Sequence, residues 1–301
     1  MDLLNAEGTL MLLHQDTAQK ETTSFEKAAV FYHDIFDFPL TLSETIKWAC
    51  GEEIARNFQN IEVSCNNNFY FLKGKSNMVL KRMLRKRVSQ RKMALAKRYA
   101  KIVAFIPTVR LIAVSGALAM ENATDESDID FFIMVQRGTV WLTRGVALVL
   151  LKLLAVPVRK YGDRNQKDKL CLNMWLDEND LVWEKKNRNI FTAHEIAQLM
   201  PLVNKNKSYQ MLIKNNKWIG KYWPNAIKPK YFKSIKKINH QRPFWLVSLF
   251  EKMAFKLQLA YMKKKITKEL VTPTKAFFHP FNWEDYILTR LNINQRHLTI
   301  L

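Results

Sequence analysis

The stretch AVSGALAMENATDESDIDFFIMV, residues 113–135, carries two aspartates at the start of a strongly apolar run. Asp128 and Asp130 flank Ile129, and the alternation of side chains along a strand places both carboxylates on one face, roughly 6–7 Å apart. Carboxylates this close repel each other, so one has a raised pKa unless a cation lies between them. Mg²⁺ suits such a pair, because it binds one or two carboxylates together with substrate phosphates. The alternative is structural: a strand end that reaches solvent, or an aspartate that caps a helix.

A glycine precedes the aspartates at a position that favours phosphate binding. Gly116 ends the apolar run VRLIAVSG, and ten residues, 118–127, lie between Ala117 and Asp128. Glycine lets backbone amides approach a phosphate closely, and the start of a following helix supplies further donors. A phosphate cradle and a metal pair are therefore predicted at one strand–helix–strand turn, a geometry that suits nucleotidyl transfer with two metal ions.

This stretch resembles the signature of the DNA polymerase β-like nucleotidyltransferase superfamily: a hydrophobic strand, Gly-Ser, about ten residues, then Asp-x-Asp in a second hydrophobic strand. The superfamily includes kanamycin nucleotidyltransferase, CCA-adding enzymes and the minimal nucleotidyltransferases of toxin–antitoxin pairs. Uncharacterised bacterial nucleotidyltransferase-domain proteins are similar over a longer range, about residues 30–225, where this chain reads IFDFPLT and CLNMW. The resemblance implies an enzyme that depends on Mg²⁺ or Mn²⁺ and takes an NTP such as ATP as its substrate.

The resemblance also implies roles for the residues around the turn. Asp128 and Asp130 would hold the metal, and Ser115 and Gly116 would cradle the triphosphate. Ala117 stands where the family has the serine that helps to hold the phosphates, and the Ser115 hydroxyl is the possible replacement.

A third carboxylate is usual in the family, on a strand next to the aspartates. The corresponding strand here is KLCLNMWLDEND, with Asn173 at its centre; an asparagine can bind a metal through its carbonyl oxygen but cannot act as a base. Asp177 has the same parity and so the same face of a regular strand, roughly 13 Å further along. Either residue could complete the site. Arg144 lies in the helix predicted after the strand that carries the two aspartates. It either reaches a phosphate or is a surface charge.

The composition predicts a folded protein with a large excess of positive charge. Hydrophobic residues make up 48% of the 301, which excludes a disordered chain. The 48 Lys and Arg against 27 Asp and Glu give a formal net charge of +21, which favours a polyanionic partner or reflects a Lys-rich proteome. Three scattered cysteines indicate a reducing cytoplasm. No apolar run reaches the roughly 20 residues that span a bilayer, so we expect no stable membrane insertion.

A long amphipathic helix is predicted over residues 76–106. Between Lys81 and Lys101 it has ten basic residues and no acidic one, so pairs along the helix contribute little to its stability. A surface that binds RNA or another polyanion is favoured over a merely solvated face, and such binding should weaken with salt. The apolar stripe of the helix is predicted at Leu80, Leu84, Val88, Leu95, Tyr99 and Ile102.

The whole pattern predicts an α+β chain of four parts. Residues 24–75 indicate a winged-helix-like module with two clear helices, a poorly marked third helix near residues 52–58 and an aromatic hairpin strand. The basic helix follows. Residues 107–182 form a small mixed-sheet nucleotidyltransferase core, and residues 183–301 a mostly helical region.

The predicted function is Mg²⁺-dependent transfer of NMP from an NTP to a hydroxyl of RNA, a small molecule or a protein, with release of pyrophosphate. The alternative is a catalytically degenerate regulator that binds only nucleotide or nucleic acid, which Ala117 and Asn173 favour. A membrane-surface protein that uses its basic amphipathic helices is a third possibility, but it does not explain the two aspartates.

Overall fold

The computed structural model describes residues 22–160, 162–232, 245–263, 270–278 and 283–291, and these form a mixed α+β fold with two sheets. This confirms the predicted class. Within these ranges, no helix combines the length and the apolar character needed to cross a membrane.

The N-terminal unit, residues 22–75, consists of short helices and a small antiparallel sheet. Its elements are α1 (Ser24–Asp34), β1 (Leu40–Thr41), α2 (Leu42–Lys47), α3 (Glu52–Ala55), β2 (Val63–Asn66) and β3 (Phe69–Leu72). The strand order is β1-β3-β2. Thr23 and Thr41 begin α1 and α2, because each forms a capping box with the glutamate three residues later. The poorly marked third helix is a single turn that continues into a 3₁₀ turn.

Helix α4 (Met78–Ala104) is the predicted long helix, but it turns a different face toward the protein. Leu80 and Leu84 are exposed, whereas Arg82 and Lys92 are buried. The predicted apolar stripe is therefore wrong in its first half. The physical reason is that the inward cations are matched by hydrogen-bond acceptors, which a count of apolar positions does not reveal.

The buried cations of α4 hold the loop that precedes the two aspartates. Lys92 is completely buried, and its ammonium donates to the carbonyl oxygens of Asp125 and Ser127 and to the Asp168 carboxylate at 2.7–2.8 Å. Arg91 donates to the carboxylates of both Asp125 and Asp168. Part of the charge predicted to face a polyanion is thus used in contacts within the protein, by Lys92 in the interior and by Arg91 at the surface. Other basic residues of the helix stay exposed, namely Lys81, Lys86, Arg87, Lys97, Arg98 and Lys101.

A six-stranded sheet carries the candidate site on its central strands. Its strands are β4 (Val109–Val114), β5 (Ile129–Val135), β6 (Leu170–Asp177), β7 (Met200–Asn204), β8 (Leu270–Val271) and β9 (Lys275–Phe277). They lie in the order β7-β4-β5-β6-β9-β8, with β4 antiparallel and β6 parallel to β5. The one-turn helix α5 (Gly116–Ala119) connects β4 to β5, and α6 (Val140–Leu153) lies between β5 and β6.

The region after residue 182 supplies strands as well as helices. Its helices are α7 (Ile190–Ala197), α8 (Ser208–Asn215), α9 (Ile219–Tyr222), α10 (Trp245–Met262) and α11 (Trp283–Arg290). The prediction of a mostly helical region missed β7, β8 and β9. Pro201 explains the first of these, because proline has no amide hydrogen for a helix and is tolerated in an edge strand such as β7.

Each face of the large sheet has its own hydrophobic core. On one face, Leu111 and Phe132 pack with the N-terminal unit and with α7, α8, α9 and α11. On the other, Ile112 and Phe131 pack with α4, α6 and part of α10. The N-terminal unit therefore shares a core with the C-terminal helices and is not a separately packed module.

Two buried histidines join the N-terminal unit to α7. The Nε2 atoms of His33 and His194 lie 3.3 Å apart, and His33 Nδ1 lies 2.8 Å from the carbonyl oxygen of Ala29. Trp48 and Trp223 pack against both imidazole rings. Burial lowers the pKa of His33 to about 3 and the pKa of His194 well below its usual value. Both rings are therefore neutral in the folded protein near pH 7.

Replacing Lys92 by methionine keeps the length of the side chain but removes the donor to three acceptors. We expect Lys92→Met to lower the free energy of unfolding by about 3 kcal/mol, because the Asp168 carboxylate and two carbonyl oxygens lose their partner. Urea denaturation measures the change. Lys97→Met, at an exposed position of the same helix, is the matched control and should change it by less than about 0.5 kcal/mol. Equal losses in both variants would contradict the anchoring role of Lys92.

The histidine pair predicts a loss of stability in acid. Because the pKa of each ring is lower in the folded than in the unfolded protein, the unfolded chain takes up protons first as the pH falls below about 6.5. The free energy of unfolding of the wild type, relative to a His33→Gln/His194→Gln variant, should then fall by about 1.4 kcal/mol per histidine per pH unit. Urea denaturation of both proteins at pH 7.5, 6.5 and 5.5 measures this difference. Parallel pH curves would disprove it.

Candidate functional site

Asp128 and Asp130 lie where β5 begins, beside the end of β4. Asp128 directly precedes the strand and Asp130 is its second residue. The Ser115 amide donates to the backbone carbonyl oxygen of Asp130 at 3.1 Å, which extends the pairing of β4 with β5 to the turn. The predicted glycine turn and the two aspartates are thus brought together.

The backbone conformation at position 116 and its closeness to Asp130 both favour a glycine there. Its φ is +60°, a left-handed conformation that favours glycine, and a Cβ there would lie 3.1 Å from Oδ2 of Asp130. A larger residue would therefore crowd the carboxylate. Of the neighbours implied as phosphate contacts, Ala117 is exposed and Ser115 is buried.

Cys171 on β6 lies beside the two aspartates. It pairs with Asp130 across the parallel strands, and ligand atoms of Asp128, Asp130 and Cys171 all lie within 4.8 Å of one another. Burial, followed by the charges of Asp130 and Asp128, raises the pKa of the thiol, which therefore stays protonated. No sequence signal indicated this residue, because its place beside Asp130 depends on which strands are neighbours.

The repulsion expected between the two carboxylates is present. Burial, followed by the negative charge of Asp128, raises the pKa of Asp130 to about 7. A hydrogen bond from Cys171 and the positive charge of Arg159 act in the opposite direction. Near neutral pH the pair therefore shares a proton part of the time.

Arg159 supplies a positive charge that the sequence did not indicate. Its Nη1 lies 2.6 Å from Oδ2 of Asp128 and 3.9 Å from Sγ of Cys171. The backbone fixes its position, because Val158 forms a bridge with Leu170 and the Arg159 amide donates to the Leu170 carbonyl oxygen at 2.9 Å. The segment lies among charged and polar residues of a loop, where neither spacing nor periodicity marks one arginine above another.

Asn173 reaches the cluster as predicted. Its Nδ2 donates to Oδ1 of Asp130 at 3.0 Å, and the side chain is buried. Its Oδ1 is also buried and has no hydrogen-bond partner among the described residues. A buried oxygen without a hydrogen-bond partner is unusual in a folded protein. A cation bound near the two carboxylates would explain it.

Asp177 lies on the other face of the sheet. Between Cys171 and Met174, β6 has one residue more than the paired stretch of β5, and this bulge reverses the alternation of side chains. The Asp177 carboxylate accepts a hydrogen bond at 2.6 Å from the amide of Gly138, just before α6, and one at 2.8 Å from the amide of Asn179. The shared face expected from a regular strand does not exist, and Asp177 does not join the cluster.

Arg144 is likewise engaged away from the aspartates. It lies on α6, where its Nη1 donates to Oε1 of Gln258 on α10 and its guanidinium stacks 4.9 Å from the centre of the Phe278 ring. Burial lowers its pKa to about 10. The structure gives Arg144 a packing role between two helices.

A further carboxyl group interacts with the cluster from α7. Burial, followed by the negative charge of Asp130, raises the pKa of Glu195 to about 8, while a hydrogen bond from Gln198 opposes the shift. Glu195 is therefore mostly protonated at neutral pH. It lies in an ordinary helical pattern far from Asp130 in the sequence, so only the fold reveals the interaction.

The residues of the cluster fit a divalent cation. The carboxylates of Asp128 and Asp130 and the orphaned Oδ1 of Asn173 are the hard oxygen ligands that Mg²⁺ and Mn²⁺ prefer. The Cys171 thiol adds a softer neighbour. These residues would hold the ion and leave its other positions to a substrate.

Comparison of the chain with protein-family models, with curated proteins and with solved structures finds no match.

Asp130→Asn tests the electrostatic cost of the site. At pH 8 the Asp130 carboxylate is ionised, buried and repelled by Asp128, so we expect the amide to raise the free energy of unfolding by about 2 kcal/mol in the presence of EDTA. Urea denaturation at pH 8 measures the difference. Asp125→Asn, which changes an exposed carboxylate in surface ion pairs, is the control and should change it by less than about 1 kcal/mol. A destabilised Asp130→Asn variant would refute this account.

Proposed function

We propose that the chain is a nucleotidyltransferase that moves NMP from an NTP to a hydroxyl group and releases pyrophosphate. Asp128 and Asp130 would hold Mg²⁺ or Mn²⁺, with the NTP phosphates beside Gly116 and Ser115. The observation that carries the proposal is the unpartnered, buried Oδ1 of Asn173, on the side chain whose Nδ2 donates to Asp130.

The order of elements around the cluster also supports this proposal. The resemblance to polymerase β-like nucleotidyltransferases implies a small mixed sheet. Here β5 pairs antiparallel with β4 on one side and parallel with β6 on the other. Gly116 turns the chain at the end of β4 and its missing Cβ leaves space for Asp130. A binding site beside the aspartates accounts for the glycine turn and for its close approach to Asp130. A strand end that only reaches solvent would need neither of these two features.

The reaction balances as a displacement at the α-phosphorus. The acceptor oxygen forms a bond to this phosphorus while the bond to the bridging oxygen of the β-phosphate breaks, and pyrophosphate leaves with the electron pair. Bound divalent ions would supply charge neutralisation and orientation of the phosphates. Asn173 cannot take the hydroxyl proton, so the proton passes to water and we expect slow turnover.

RNA is the favoured acceptor among the three classes considered. The formal charge of +21 and the exposed basic residues of α4 favour a polyanion. A winged-helix-like arrangement of the N-terminal unit is supported by its order of elements, which is helix, strand, two helices and two strands around the β1-β3-β2 sheet. The cytoplasm stays the predicted compartment on the basis of the cysteines.

A binding-only regulator is the second candidate. Arg159 neutralises Asp128 through a salt bridge, and a protein that only binds nucleotide also needs this neutralisation. Ala117 and Asn173 replace two polar groups that the resemblance implies. Such a protein would bind nucleotide or RNA without transfer.

Transfer of label from α-³²P NTPs, supplied one base at a time with Mg²⁺ or Mn²⁺, RNA and cell lysate, tests the proposal. We expect a labelled acceptor, and we expect Asp128→Ala/Asp130→Ala to reduce labelling by at least about 100-fold, because both metal ligands are lost. Asp177→Asn is the comparison, since its carboxylate lies on the other face of the sheet. Folded protein that labels nothing with any base, but still shifts RNA, would favour the regulator.

A further inference from the structure

The salt bridge between Arg159 and Asp128 occupies a carboxylate that a metal ion needs. The Nη1–Oδ2 distance is 2.6 Å, and the side chain of Asp128 is only 10% exposed. A cation that binds Asp128 at 2.0–2.1 Å through a lone pair of this oxygen would face a guanidinium of like charge at hydrogen-bond distance. Arg159 and a divalent ion therefore compete for Asp128.

The guanidinium also has donors that could bind a second anion. Among the described residues it contacts acceptors only through Nη1, so Nε and Nη2 are unused, and its side chain is 27% exposed. An arginine presents five donors in a planar fork that matches phosphate oxygens. Its backbone is held by the pairing with Leu170, so the fork can turn while its base stays beside the site.

We propose that Arg159 is an exchangeable counter-ion: it closes Asp128 when no metal is bound, and it binds the phosphates of the incoming nucleotide once a divalent ion takes the carboxylates. This inference rests on the proposed nucleotidyltransferase function. It makes Arg159 a phosphate-binding residue of the site and predicts that metal and nucleotide bind best together.

Binding measurements on the full chain separate the two parts of the exchange. Mn²⁺ alone is titrated and followed by electron paramagnetic resonance, and inorganic tripolyphosphate with equimolar Mn²⁺ is titrated calorimetrically as a base-free phosphate chain. We expect Arg159→Gln to bind Mn²⁺ alone about 10-fold more tightly, because its competitor is gone, and Mn²⁺–tripolyphosphate about 10-fold more weakly. Arg159→Lys should keep the competition and recover only part of the tripolyphosphate affinity, because ammonium lacks the fork.

Lys169→Gln is the matched control. Lys169 carries the same charge at nearly the same exposure, 26%, but pairs with Asp163 and not with the cluster. Equal effects in Arg159→Gln and Lys169→Gln would mean that Arg159 acts only through net charge, and effects of the same direction on both titrations would mean that the guanidinium does not exchange one anion for the other. Either result would overturn the inference. A wild-type protein that binds both probes would then still support the proposed function. Wild type that binds neither probe would overturn both.

Discussion

The arrangement of the site follows from placing two carboxylates side by side with little water. Asp128 and Asp130 repel each other, and the residues around them reduce the cost of that repulsion in different ways. Arg159 neutralises one carboxylate, and the Cys171 thiol and the Asn173 amide donate to the other. Residues that only stabilised the fold would not need this cluster, because an apolar pair at these positions would be more stable.

The basic helix shows how a charge run can serve the interior. Lys92 and Arg91 have no acidic partner within α4, but the fold brings Asp125 and Asp168 to them from two distant loops. Those loops lead into β5 and β6, so the helix that looked like a nucleic-acid surface also fixes the start of both site strands. Arg87, Lys97, Arg98 and Lys101 remain exposed on the same helix and are available to a polyanion.

The sequence predicted those parts of the fold and site that depend on local order. The glycine turn, the β5 strand and the two aspartates could be found because they lie within a single strand–helix–strand stretch. Arg159, Cys171 and Glu195 could not, since each reaches the aspartates through strand adjacency or through packing of a separate helix. Asp177 was predicted on the site face because a regular strand was assumed. The alternation of side chains in the sequence does not reveal the one-residue bulge in β6, which moves Asp177 to the other face. The strands after residue 182 were missed for a similar reason, because short edge strands carry little periodicity.

The charge balance of the cluster explains why an asparagine can stand at the third position. Asp128 is neutralised by Arg159, Asp130 is partly protonated near pH 7 and Glu195 is mostly protonated. The cluster is then close to neutral, which a buried site requires. A carboxylate in place of Asn173 would add a negative charge that Arg159, already paired, could not balance. Asn173 instead adds a neutral side chain, whose amide donates to Asp130 and whose Oδ1 has no hydrogen-bond partner among the described residues.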